Sequence, residues 1–111
     1  MSKSNVQEVN NELPAQAIHK PVEIRKMYAV WDQGAKFFGQ VVWHRTTHEA
    51  IRTFTDAVNT PDTPFSRHPD QYVMYELGQM DFLTGSFEIL PEPQSICRAI
   101  DVFLDPKVGA E

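Results

Sequence analysis

Cysteine is almost missing from this sequence. Cys97 has no second thiol to pair with, and one thiolate cannot build a zinc site. A nucleophilic thiol needs an activating neighbour, and Arg98 is the only basic one beside it, so Cys97 reads as a small apolar residue. Long hydrophobic runs are missing too. None approaches the roughly 20 residues that cross a bilayer, and the polar stretch 1–11 lacks a signal-peptide core. Both absences place the chain in a cytoplasm, away from membranes. No Gly-rich phosphate loop, nucleophile pattern or paired-carboxylate motif occurs, so no enzyme mechanism assembles and no cofactor is implied. Positive charge is also scarce, with ten Lys and Arg against fifteen Asp and Glu. Non-specific DNA binding draws on Lys and Arg to neutralise phosphates, so a chain of net charge −5 must gather its cations locally to bind that way.

What the sequence does have is aromatic bulk. Seven Phe, three Tyr and two Trp among 111 residues suffice for one core, whereas two independent cores would each be too small. Residues 1–25 show no useful period and read as a flexible arm, with the more apolar part Ile18 to Ile24 able to dock onto the core. From Lys26 the pattern changes. Met27 to Trp31 is an apolar run of strand formers ended by Asp32-Gln33-Gly34, and Lys36 to His44 is a second run, so the two predict a β-hairpin. Gly39 inside the second run predicts a bulge or a close backbone approach.

Thr46-Thr47-His48-Glu49 has the form of a capping box. Ala50, Ile51, Phe54, Ala57 and Val58 follow as one apolar stripe of 3.6-residue period, which Asn59 and Pro61 end. Three prolines make 60–70 a fixed loop. Tyr72 to Met80 alternates as a strand, and Asp81 to Gly85 supplies a turn with Gly at the left-handed position. Ser86 to Leu90 closes a second hairpin, with Pro91 and Pro93 expected to stop it. Ile96, Ile100, Phe103 and Leu104 have the spacing of a short amphipathic helix ended by Pro106.

The predicted fold is α+β: a four-stranded antiparallel sheet in the order β-β-α-β-β with one main helix. The core domain covers 26–91, with the arm at 1–25 and a helical tail at 92–111. One helix covers one sheet face, so the set Tyr28, Trp31, Phe37, Phe38, Trp43, Tyr72 and Tyr75 leaves apolar rings for something else to cover. A second copy, the C-terminal segment and stacked bases are the options, and self-association through the sheet is the most economical.

Positive charge and aromatics meet in one place, formed by Lys36, Trp43, His44, Arg45, His48 and Arg52. Single-stranded DNA binders use such a mixture, since bases stack on rings while cations follow the phosphates. The plainer reading is a solvated helix face with Trp43 in the core. A metal held by His44 and His48 lacks a third ligand. In Arg67-His68-Pro69-Asp70, His and Asp stand close enough for acid–base chemistry, but a turn explains them more simply.

Tyr28-Ala29-Val30-Trp31-Asp32 with Phe38-Gly39, then Ala50 to Phe54 leading into Val58-Asn59, then His68-Pro69-Asp70, Tyr75-Glu76-Leu77-Gly78, Asp81 and Thr84-Gly85 stand in a specific order. In that order, over about residues 27–91, the chain resembles the small nonstructural protein of gokushovirus-type microviruses, phages with a circular single-stranded DNA genome. The resemblance implies a protein made in the host bacterial cytoplasm during infection, outside the virion shell and acting in genome replication. It carries no catalytic residues over. The expected role is a non-enzymatic accessory protein that binds single-stranded DNA or phage and host replication proteins. The alternative is a protein-binding regulator of replication or packaging that makes no contact with DNA.

Overall fold

The computed structural model describes residues 21–104. Residues 1–20 of the arm and the end of the tail lie outside the described residues, whereas Ile24 and Arg25, expected in the arm, belong to the first strand. Strand β1 (Ile24–Asp32) is central, and its alternation sorts the molecule into two sides. Tyr28 and Val30 point into the helical layer, while Met27, Ala29 and Trp31 point away from it. Strand β4 (Tyr72–Asp81) pairs antiparallel with one edge of β1. The other edge takes two short strands, β2 (Phe37–Phe38) and β3 (Val42–His44).

The run 36–44 is therefore not one continuous strand. Between the pairs Tyr28–Val42 and Trp31–Phe38 it spends one residue more than β1, so the ladder opens at 39–41. Gly39 still donates its N–H to the Val30 carbonyl at 2.9 Å. A Cβ on Gly39 would meet nothing nearer than 3.7 Å, so the expected irregularity is present without a close backbone approach.

Helix α1 (Thr47–Val58) begins where the capping pattern places it. The Thr46 hydroxyl accepts from the Glu49 amide at 3.1 Å, but the Glu49 carboxylate reaches past Thr46 to the Arg45 amide at 2.9 Å. Ala50, Phe54 and Val58 form the buried stripe. Asn59 ends the helix with its side chain rather than with a left-handed backbone. Its amide donates to the carbonyls of Thr55 and Val102, and its oxygen accepts from the Leu104 amide at 2.7 Å.

The proline-rich loop contains a one-turn helix α2 (Pro64–Arg67), capped by Thr63, and a 3-10 turn at Pro69–Gln71. Phe65 of α2 packs edge-on to both Phe54 and Tyr72, with ring centroids 5.9 and 4.8 Å apart.

Strand β5 (Phe87–Arg98) corrects the expectation that Pro91 and Pro93 end the second hairpin. The sheet order β2-β1-β4-β5 makes β5 an edge strand, where residues without an N–H are tolerated. Between the pairs Gly78–Ile89 and Glu76–Gln94, residues 90–93 have no partner on β4, and both prolines fall in that gap. Ile96 consequently lies in the strand, and the C-terminal helix α3 is one turn, Ala99–Val102.

The architecture is α+β, an antiparallel sheet with one main helix and a short C-terminal one. Tyr28, Ala50, Phe54, Val58, Met74 and Ala99 form the core between the layers. Burial keeps the Tyr28 phenol above its ordinary pKa, and its hydroxyl shares a 3.0 Å hydrogen bond with Thr47. All described helices lie on one side of the sheet, and the opposite face is left without a helical cover.

Candidate functional site

Strand alternation and register place Arg25, Met27, Ala29, Trp31, Phe38, Trp43, Val73 and Tyr75 on the uncovered face. Two aromatic groups stand there. At one end Trp31, Phe38 and Tyr75 meet edge to face, with centroids 5.1 and 5.5 Å apart. At the other, Trp43 packs on Phe82 of the β4–β5 turn at 5.2 Å. The Trp31 row lies four positions along β1 from the Trp43 row at Met27, roughly 14 Å of extended strand.

Charge converges on the Trp43 end. The Arg25 guanidinium lies 5.2 Å above the Phe82 ring and bonds Glu23, which also holds Arg45 at 2.8 Å. Two guanidinium groups thus share the Glu23 carboxylate beside two aromatic rings, with the Asp81 carboxylate in the same corner. Arg45 is the more exposed of the pair, at 62% of its side chain. Rings with a cation beside them can stack bases and meet a phosphate at once.

Asp81 fixes this corner. It is buried in the folded chain, and its carboxylate accepts from the amides of Leu83 at 2.9 Å and Glu23 at 3.2 Å. The Leu83 amide first, and Glu23 and Thr84 after it, hold the Asp81 carboxyl below its usual value against the opposing effect of burial. A depressed carboxylate adds stability above the unfolded pKa of about 4, and that stability is lost as pH falls through the folded value. Thermal melts should therefore show Asp81→Asn less stable than wild type at neutral pH, the gap closing in acid. A constant gap from pH 7 to pH 2 would show that the carboxylate charge is not what holds the corner.

Of the residues expected to form one DNA site, the structure brings together Trp43 and Arg45. His44 alternates to the helical side, where it packs on Tyr28 at 5.9 Å and lies 3.4 Å from Glu49. His48 and Arg52 are exposed on α1, away from the uncovered sheet face. Lys36 closes the turn after Asp32 with φ 64°, at the end of β1 remote from His44, so it joins neither group. Among the described residues no group of three or more His, Cys, Asp and Glu could hold a metal. Burial pushes the Cys97 thiol up from its ordinary pKa. No helix among the described residues is long and apolar enough to cross a membrane.

Sequence reasoning missed Arg25 and Phe82. Arg25 was assigned to the arm and Phe82 to a turn, and only the β1–β4 register places them beside Trp43. It also missed a groove of about 440 Å³ on the helical side, between α1 and the β2–β3 segment. Its floor is Val30, Phe54, Tyr72 and Met74.

Comparison with curated proteins finds no match, and comparison with solved structures finds none either. A family model described as Phage ORF5 protein matches residues 25–102, a span that covers every strand but the first residue of β1 and all three helices. The chain belongs to that phage protein family.

Proposed function

We propose that the protein is a nonstructural accessory protein of genome replication in a gokushovirus-type microvirus, and that it binds single-stranded DNA on the uncovered sheet face. The observation that carries this reading is the Trp43–Phe82 pair with Arg25 and Arg45 around one carboxylate, set on a sheet face that no described helix covers. Trp31, Phe38 and Tyr75 extend the platform along the strands. Antiparallel sheets with aromatic residues on an open face stack unpaired bases, which a duplex cannot offer. The resemblance of residues 27–91 to the microvirus protein supports the replication setting.

So few cations make stacking the main source of affinity. Anisotropy titration of labelled oligo(dT) should give a shallow salt dependence, about one or two phosphates neutralised, with a log–log slope near −1. Trp43→Ala should weaken binding by about 1–3 kcal/mol. Arg45→Glu should weaken it as well, while Lys36→Glu and Arg52→Glu leave it unchanged. Equal losses from all the charge reversals would move the site off this face, and no binding at low salt would remove the DNA reading.

The alternative is a protein-binding regulator of replication or packaging without DNA contact. It is favoured by the ion pairing of Arg25, Lys26, Arg45 and Arg98, each of which already holds a carboxylate within 4 Å. Absence of oligonucleotide binding alongside an intact fold is the result this reading expects.

A further inference from the structure

Strand β1 sets the distance between the two aromatic groups of the uncovered face. Side chains on one face of a strand stand two residues apart, and Met27, Ala29 and Trp31 follow one another here. Trp43 pairs with Met27 and Phe38 with Trp31, so the groups lie roughly 14 Å apart along the strand. Ala29, between them, carries a methyl group and is 1% exposed, so no side chain of β1 rises between the rings. Tyr75, opposite Ala29 on β4, meets Phe38 at 5.5 Å and so belongs with the Trp31 group. Among the described residues no ring pairing joins one group to the other.

The two groups also differ in charge. Beside Trp43, Arg25 and Arg45 share the Glu23 carboxylate, and Arg45 is 62% exposed. In the Trp31 row the cation is Arg98, opposite Val73. Both oxygens of Asp101 accept from its guanidinium, at 3.1 and 2.9 Å. A guanidinium held in that two-toothed way is already matched, so the Trp31 group offers rings for stacking more than charge.

Stacked nucleotides advance about 3.4 Å along a strand and splayed ones up to roughly twice that, so 14 Å corresponds to about two to four nucleotide steps. Resting on the DNA reading above, we infer that a single DNA strand fills both groups at once, with one base on each and about one to three nucleotides bridging them. The ligand lies along β1, anchored by base and phosphate at the Trp43 end and by stacking alone at the Trp31 end. Its bridging bases pass over Ala29 and add little.

Oligonucleotides that carry two thymines separated by abasic nucleotides test the spacing on the unaltered protein. All are made to one length and charge, so only the position of the bases differs. Affinity should peak with about one to three abasic units between the thymines, on the order of tenfold above adjacent thymines or a single thymine. The gain should be the same at two salt concentrations, since the second base brings no further phosphate contact. The chain has two tryptophans, one in each group, so their emission shows where each base sits. In Trp43→Phe the remaining Trp31 should be quenched by the best-spaced oligonucleotide and not by the single-thymine one. In Trp31→Phe both should quench Trp43. An affinity that ignores spacing overturns the inference while the DNA reading stands, and so does quenching of Trp43 alone by every oligonucleotide. If none binds, the DNA reading falls and takes this inference with it.

Discussion

Phe54→Ala is expected to lower stability by about 3–5 kcal/mol, while Arg52→Ala, two residues earlier on α1, changes it by less than about 0.5 kcal/mol. Phe54 is 5% exposed and belongs to the cluster that joins the helix to Tyr28 and Met74 on the sheet. Its ring is also the edge-on partner of Phe65, through which the α2 segment is held. Losing the ring removes its transfer free energy and loosens two elements together. Small domains have only about 5–15 kcal/mol in total, so the variant stands close to unfolding. Arg52 is exposed and holds no carboxylate among the described residues. Urea titrations followed by circular dichroism measure both. Similar losses from the two would mean that the helix presents a different face to the sheet.

The helix phase was legible in the sequence because a 3.6-residue stripe, a capping threonine and an Asn-x-Pro ending agree locally. The runs Met27 to Trp31 and Tyr72 to Met80 were legible for a similar reason, since each ends at turn chemistry, whereas the start of β1 at Ile24 and its pairing with β4 were not. Nor were the edges of the sheet. Pro91 and Pro93 carry the strongest stop signal in the chain, yet in an edge strand a residue without an N–H loses nothing if it faces the unpaired side or a gap in the ladder. Local pattern does not say which strand is at the edge. The break at 39–41 is similar: it depends on β1 taking one residue fewer, a property of the pair and not of either run.

The candidate site was legible only in part, and geometry explains which part. Trp43 and Arg45 are two apart in sequence and share a corner of the sheet; His44, between them, alternates to the other side by the same rule. Adjacency in sequence therefore grouped a residue that adjacency in space separates. Arg25 and Phe82 are 57 positions apart, and the Asp81 carboxylate joins their segments through the Glu23 and Leu83 amides. Nothing short of the register brings them together. The excess of aromatics over what one helix covers was the sequence signal for a sheet face without a helix, where Trp31, Phe38, Trp43 and Tyr75 stand half-buried.

That register also makes Gly78 the most sensitive backbone position in the hairpin. Gly78 is buried opposite Ile89, where a Cβ would overlap the Glu88 carbonyl oxygen and approach the Ile89 Cα to 2.9 Å and the Glu88 carbonyl carbon to 3.2 Å. All three are backbone atoms that no rotamer change can remove, so β5 must move off β4 to admit a methyl group. Gly78→Ala is therefore expected to cost about 3 kcal/mol or more. Gly85→Ala in the adjoining turn is the comparison. There φ is +80° but no atom lies within 4 Å of the new Cβ, so only the left-handed backbone is strained, at about 1 kcal/mol. Gly78→Ala should also speed amide exchange at 87–89 and unseat Phe82 from Trp43, weakening oligonucleotide binding if the sheet face is the DNA site. Chemical denaturation of the two variants ranks them, and a Gly85→Ala loss equal to or larger than that of Gly78→Ala would contradict the close approach of β5 to Gly78.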